Sequence, residues 1–356
     1  MPTIALEMER LRNPYSGLGQ YCLQLGRAFA VEGSDAGLGF ACLVPAACKG
    51  EFGNGMEYKA VKPWHKIIGP DFGESLWHCM HQDSAYMPRS RKTPLVITIH
   101  DLNFLERPDY SEAKKSHRMV AMQQKIKRAN GLVYISEYVR NLVHQLLKVP
   151  KGKVEQVIYN GGSFKYQGPG GKFQGSKDQG PFLFSIGIHP KKNYHVLMPL
   201  LAEFKAYKWI IAGPDSRGYQ AKIEQEAARF GVADRIEFCG PVGEEAKMEF
   251  YQNCTALLFP SLSEGFGLPV IEAMSFGKPV FLSKLTSLPE IGGVEAYYFN
   301  DFEPNTLVDA FANGMKQFEN NPGKGKKIES WAARFTWEKS AEQYIEFYQK
   351  VLASQK

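Results

Sequence analysis

Ser261-Leu262-Ser263-Glu264-Gly265-Phe266-Gly267-Leu268-Pro269-Val270-Ile271-Glu272 follows an apolar run, Thr255 to Phe259, and opens a helix-period stretch. The run reads as a buried strand that Pro260-Ser261 ends. Gly265 and Gly267 let backbone approach a ligand with no Cβ in the way. Pro269 suits a first helical position and Gly277 a helix stop. Strand, glycine loop and helix start together predict an anion site, because the first helical amides lack internal partners. Neither Glu264 nor Glu272 helps to hold a phosphate. A carboxylate can instead accept hydrogen bonds from neighbouring hydroxyls of a ribose or a hexose. The alternative is that Glu272 is a first-turn acid favoured by the helix dipole and Glu264 a solvated loop residue.

Glu264 and Glu272, eight residues apart around Gly-Phe-Gly-Leu-Pro, resemble the paired-glutamate signature of the retaining glycosyltransferases of family 4. The resemblance implies the GT-B fold: two facing Rossmann-like α/β domains, with strand carboxyl ends on either side of one cleft and a last helix that returns to the first domain. It implies that Glu264, Phe266, Gly267 and Leu268 contact donor sugar and phosphate, and that Glu272 holds the ribose. Phe184 to Asn193 ends a strand with Gly187 and the cations Lys191 and Lys192, which sit unfavourably before a helix start unless an anion joins them. The family's matching basic pair, usually Arg then Lys, binds the donor diphosphate. Here Lys191 replaces a bidentate guanidinium with a point charge. His100, at the end of the strand Leu95–Ile99, resembles the family's strand-end histidine and is expected to contact the donor sugar without acting as general base. Gly17 and Gly19, between Asn13 and Tyr21, resemble the first-domain glycine loop beside phosphate and acceptor.

Short apolar runs alternate with helix-period stretches, as parallel α/β sheets require. Strands are expected near Thr3–Leu6, Gly39–Val44, Leu76–Cys79, Leu95–Ile99, Gly131–Ile135 and Val154–Tyr159. After a glycine-rich break they resume near Phe182–Ile186, Trp209–Ala212, Ile236–Cys239, Ala256–Phe259, Val280–Leu282 and Tyr297–Phe299. Helices are expected from Gly19, Ser111, Glu137, Tyr194, Gly218, Glu244, Pro269, Asn305 and Trp337, with Asn193 and Thr336 as N-caps. The pattern divides the chain into 1–165, a linker 166–180, 181–335 and a last helix 336–356; the resemblance implies that the first domain binds the acceptor, the second the nucleotide-sugar, and that the last helix returns to the first.

The 356 residues are 44% hydrophobic and 22% charged, a globular profile. No apolar run reaches the length of a membrane span and no signal peptide precedes the first strand. The six cysteines lack a C-x-x-C pair and read as free thiols of a reducing cytosol. Residues 1–165 carry 22 Lys+Arg and 15 Asp+Glu, a balance of +7, so the remaining residues balance at −1 against the total of +6. Lys114, Lys115, Arg118, Lys125, Lys127 and Arg128 on one helix suggest peripheral contact with an anionic membrane. A phosphate-binding Walker loop, a D-x-D metal motif and a His/Cys cluster are missing from the sequence, so no metal and no cofactor are expected.

The expectation is a cytosolic, metal-independent retaining hexosyltransferase. It would use a nucleotide-sugar donor and a saccharide or lipid-linked acceptor in bacterial surface polysaccharide or lipopolysaccharide synthesis, with a lean towards mannose. His100, Glu264 and Lys192 would carry catalysis. Alternatives are a nucleotide-sugar epimerase or isomerase of the same architecture and a non-catalytic nucleotide-sugar-binding protein. A nucleic-acid binder lacks any groove-reading motif.

Overall fold

The computed structural model describes residues 1–33, 36–162 and 180–355. The chain divides into two compact units, Met1–Gly161 with Phe335–Lys356, and Gly162–Arg334. The glycine-rich linker expected at 166–180 lies, apart from Gly180, outside the described residues.

In unit 1 the strands are β1 (Thr3–Glu7), β2 (Gly39–Val44), β3 (Glu57–Ala60), β4 (Leu76–Cys79), β5 (Leu95–Ile99), β6 (Gly131–Tyr134) and β7 (Val154–Val157). They form one parallel sheet in the order β3-β2-β1-β4-β5-β6-β7. Unit 2 carries β8 (Phe182–Ile188), β9 (Lys208–Asp215), β10 (Ile236–Gly240), β11 (Ala256–Phe259), β12 (Val280–Ser283) and β13 (Tyr297–Phe299). Its parallel order is β10-β9-β8-β11-β12-β13. The central strands β4, β5, β6, β11 and β12 are buried along their whole length, which explains why they read as continuous apolar runs rather than alternating ones. The one strand absent from the sequence reading, β3, is an edge strand of partly exposed Glu-Tyr-Lys-Ala and has no apolar signature.

The helices of unit 1 are α1 (Gly17–Glu32), α2 (Glu112–Arg128) and α3 (Glu137–Leu146). Unit 2 follows with α4 (Met198–Glu203), α5 (Tyr219–Arg229), α6 (Glu244–Asn253), α7 (Leu268–Met274), α8 (Leu288–Gly292), α9 (Pro304–Glu319) and α10 (Lys324–Ala332). The last helix, α11 (Trp337–Ala353), belongs to unit 1. Thr336 caps it, accepting from the Lys339 amide at 3.2 Å. On α11, Tyr344 lies 2.7 Å from the Tyr21 hydroxyl of α1, and Tyr348 lies 2.7 Å from Nδ1 of buried His78. Thr98 of β5 joins both, so a polar chain fastens α11 across the sheet.

Two local expectations change. α1 starts at Gly17 rather than Gly19, because Ser16 caps it through the Gly19 amide. Asn193 is not a helix cap: it adopts a left-handed conformation (φ 60°) and its side chain caps nothing. Tyr194–Leu197 forms a 3₁₀ turn, and α4 begins only where Pro199 fits the first turn.

Candidate active site

Strand order reverses between β8 and β11 in unit 2, and such switch points leave a crevice beyond the strand carboxyl ends. The segment after β8 brings Lys191 and Lys192 there, and the segment after β11 brings Glu264. Lys192 Nζ lies 2.7 Å from Glu264 Oε1, and Lys191 Nζ 3.5 Å from Glu264 Oε2. Ser261 Oγ donates to Glu264 Oε1 at 2.6 Å, and the Leu262 amide bonds the Lys191 carbonyl at 2.7 Å. These bonds stitch the two loops together. Lys192 also sits 4.1 Å above the ring of Phe259, the last residue of β11.

Backbone geometry at two glycines makes this arrangement possible. Gly187 (φ 84°) is the bulge at which the β8–β9 register slips, turning the chain towards Pro190–Lys192. Gly267 (φ 109°) caps α7, and a Cβ there would lie 2.9 Å from Leu288. Behind the Glu264 loop stands a turn invisible in the sequence motif. Thr286, a β-branched residue at φ 55°, accepts the Glu264 amide at 3.1 Å, and Ser287 Oγ reaches the carbonyls of Glu264 and Phe266 at 3.0 and 2.9 Å. Leu268 opens α7 and Phe266 is buried beside it. At seven residues α7 has only a small macrodipole, so the two lysines hold the larger share of the positive potential.

Burial would raise the Glu264 carboxyl, but Lys191 and Lys192 and the bonds from Lys192 and Ser261 overcome it and hold it at about 2. For Lys192 burial outweighs its attraction to Glu264, and the ammonium is brought down to about 8. A diphosphate beside Lys192 would add negative charge and raise it again. The alkaline limb of kcat/KM for the donor, which reports the free enzyme, is therefore expected near pH 8. The limb of kcat moves higher, and Lys192→Arg abolishes both because a guanidinium stays charged. Identical alkaline limbs in the two enzymes would remove Lys192 from the donor site.

Glu272 occupies a separate buried network. Lys247 Nζ of α6 lies 3.1 Å from its Oε1, and the Tyr251 hydroxyl donates to its Oε2 at 2.8 Å. Lys247 is raised: burial opposes the charge, but Glu272 and Glu244 prevail. Glu272 is thus neither a solvated acid nor a simple dipole partner. Its side chain is fixed from two sides. Lys247 and Tyr251 were missed in the sequence. Their one signal is the i, i+4 spacing that puts both on one face of α6.

In unit 1, β1 and β4 flank the corresponding reversal of strand order. The two predicted glycines differ there. A Cβ on Gly19 would lie 2.0 Å from the Asn13 carbonyl, so the chain itself requires that glycine; Gly17 has open space around its Cβ position. His100, at the end of β5, is buried, and its Nε2 lies 2.8 Å from the Met80 carbonyl. Burial lowers it to about 4. The neutral ring therefore donates from Nε2, and Nδ1 carries the lone pair. Tyr21 meets this ring edge-on at 4.5 Å, and the Gln82 side chain accepts the His100 amide at 3.0 Å.

Most cations of the basic helix α2 are committed to other groups of unit 1. Lys125 donates to the carbonyls of Gln82 and Ser84 at 2.8 Å, Arg128 donates to the Thr93 carbonyl at 2.7 Å, and Arg118 pairs with Asp83. Lys115 pairs with Glu112 on the helix itself. The membrane face expected from six cations is reduced to Lys114 and Lys127, because a sequence pattern cannot separate a lysine that caps carbonyls from one that faces solvent. Among the described residues no helix is long and apolar enough to cross a membrane, and no group of three or more His, Cys, Asp or Glu is positioned to hold a metal ion.

Comparison with known proteins agrees with this division. Residues 172–335 match the model of the family described as Glycosyl transferases group 1. O-antigen chain mannosyltransferase B of Escherichia coli is 25% identical over 286 residues, 75% of this chain and 73% of that one. O-antigen chain mannosyltransferase RfbU of Salmonella typhimurium is 24% identical over 244 residues, 68% of this chain and 66% of that one. Among solved structures, sucrose-phosphate synthase from Thermosynechococcus elongatus superposes with a TM-score of 0.74 at 18% identity, covering 99% of this chain and all of that one. Anabaena HepE in complex with UDP and glucose gives 0.71 at 16% identity, covering 98% of this chain and 99% of that one. Lys191, Lys192, Glu264 and Glu272 all fall inside the stretch that matches the group 1 glycosyltransferase model, and the chain has the GT-B fold of these solved structures.

Proposed function

We propose that the protein transfers a hexose, with mannose favoured, from a nucleotide-sugar to a growing surface glycan, with retention at the anomeric carbon. The observation that carries this reading is the cluster of two ammonium groups on one buried carboxylate at the β8/β11 reversal. Such a cluster carries one positive charge in excess, which an entering anion balances. When a diphosphate enters, Lys191 and Lys192 can turn towards it and Glu264 is released to accept hydroxyls of the sugar.

Catalysis is then mainly charge stabilisation. As the glycosidic bond to the diphosphate breaks, negative charge grows on the leaving oxygen, and a fixed ammonium in a water-poor site lowers the energy of that state. Lys192 is the principal group and Lys191, more exposed, the auxiliary one. Phe266, Gly267 and Leu268 bring backbone close to donor sugar and phosphate, Gly187 shapes the turn beneath them, and Glu272 takes the ribose hydroxyls. His100 offers Nδ1 to a sugar hydroxyl, while Gly17, open where Gly19 is filled, is the first-unit contact to phosphate or acceptor. The acceptor hydroxyl attacks from the leaving-group face and gives its proton to the diphosphate. No metal is required in this scheme, since the lysines neutralise the leaving group, and no cofactor enters. The acceptor is a saccharide or a lipid-linked saccharide, and six unpaired thiols support a reducing, cytosolic setting.

The test is incubation with a panel of nucleotide-sugars and short oligosaccharide acceptors in the presence of a chelator. The expected result is nucleotide release together with a new glycoside whose anomeric configuration, read by NMR coupling, matches the donor. Sugar interconversion without acceptor would establish the epimerase alternative. Donor binding with no release for any acceptor would leave a binding protein.

A further inference from the structure

Unit 1 carries an exposed apolar cluster that the donor site does not use. Trp64, Ile67 and Ile68 are 55%, 88% and 59% exposed, and all three sit within five residues around one 3₁₀ turn, Pro63–Lys66. Single exposed apolar residues are ordinary; three large ones in one turn are not. The neighbouring segment is Met87–Lys92, for a Cβ on Gly69 would lie 2.1 Å from the Met87 carbonyl and 2.8 Å from the Arg89 amide.

The charge on these two segments is one-sided. Residues 59–72 and 87–92 contain Lys59, Lys62, Lys66, Arg89, Arg91 and Lys92 against a single carboxylate, Asp71, which lies 3.8 Å from Arg89. Lys62 lies 4.9 Å above the Trp64 ring, and His65 is lowered by burial first and then by Lys62 and Lys59. Lys59 is paired with Glu57, 3.4 Å away, which leaves five cations for this surface.

We propose that this turn docks the protein on an anionic lipid bilayer, with Trp64, Ile67 and Ile68 entering the headgroup and acyl boundary and Lys62, Lys66, Arg89, Arg91 and Lys92 meeting the lipid charges. An indole with a cation on its face suits the boundary, apolar on one side and wet on the other. The lysines gain from the negative surface potential within a Debye length. A second copy of the chain fits less well. A two-fold contact would set five cations against five, around an apolar patch of three side chains, where a stable interface buries about 800 Å² per partner. Nucleic acid would use the cations but gives Ile67 and Ile68 nothing to enter. The surface is distinct from α2, whose cations are mostly committed to protein carbonyls and Asp83, and it stands whether or not the donor reading does.

The experiment is flotation of the full chain with vesicles of phosphatidylcholine alone or mixed with phosphatidylglycerol. Three variants accompany it: Ile67→Ser/Ile68→Ser, Lys62→Glu/Lys66→Glu, and Lys114→Glu/Lys127→Glu on α2. Urea unfolding of each variant checks that the fold is kept, since all six positions are at the surface. The expected result is binding to the anionic vesicles only, weakened about tenfold or more by each of the first two variants and little changed by the third. Equal binding to both vesicle types, no flotation at all, or loss confined to the α2 variant would overturn the proposal. So would an Ile67→Ser/Ile68→Ser effect on sedimentation of the protein alone, which would mark a self-association face, or retained flotation with lost binding to single-stranded DNA.

Discussion

Lys192→Met is expected to lower turnover about a hundred- to a thousandfold, the range seen when one fixed donor to a developing oxyanion is removed. The side chain is buried, its nitrogen 2.7 Å from Glu264 and above the Phe259 ring, so no solvent cation can take its place. The same change leaves the Glu264 carboxylate with Ser261 and the more distant Lys191, and breaking a buried pair from one side costs about 3–5 kcal/mol of stability. Loss of turnover and loss of stability are separable. In Lys192→Met/Glu264→Gln the unpaired charge is gone, and most of the stability returns while turnover stays low. Steady-state kinetics beside urea unfolding distinguish the two effects. Recovery of turnover in the double variant would mean that Lys192 acts only to balance Glu264.

Glu272→Ala is the second large effect. It removes the acceptor of Tyr251 and the nearer partner of Lys247, which keeps Glu244 at 3.4 Å, so the stability cost falls below the about 3–5 kcal/mol of a wholly unpaired buried charge. Glu272→Gln retains the shape and one acceptor oxygen, so it isolates the ligand role from the structural one. Its expected effect is a fall of about tenfold in affinity for a nucleoside diphosphate, equivalent to about 1.4 kcal/mol, at nearly unchanged kcat. Calorimetric titration checks the first and saturating-donor kinetics the second. Unaltered affinity in Glu272→Gln would reduce Glu272 to an internal partner of α6.

What was legible in the sequence was local. Pro269 announces a helix start by its own backbone restriction and Gly267 a place of close backbone approach, whereas the left-handed cap at Gly267 and the bulge at Gly187 appear only in the structure. Buried parallel strands announce themselves as unbroken apolar runs. Hidden features depend on partners far along the chain. Thr286 and Ser287 brace the Glu264 loop from the end of β12, more than twenty residues later, and nothing in Lys284-Leu285-Thr286-Ser287 hints at a strained acceptor turn. Lys247 reads as a solvated helix lysine until Glu272 is placed beside it. The same ambiguity applies to α2, where Lys125 and Arg128 satisfy the carbonyls of Gln82, Ser84 and Thr93. α10 was overlooked because Lys324-Gly325-Lys326-Lys327 has neither a cap nor an apolar stripe; Ile328 and Ala332 alone bury it.

The central claim is that Lys191 and Lys192 exchange Glu264 for the donor's diphosphate. Isothermal titration of the protein with a nucleoside diphosphate and with the matching monophosphate tests it most directly, in the native chain and in Lys192→Met. The diphosphate is expected to bind the native protein at least tenfold more tightly, a margin that disappears in Lys192→Met while monophosphate binding persists. An unchanged margin in the variant would contradict it.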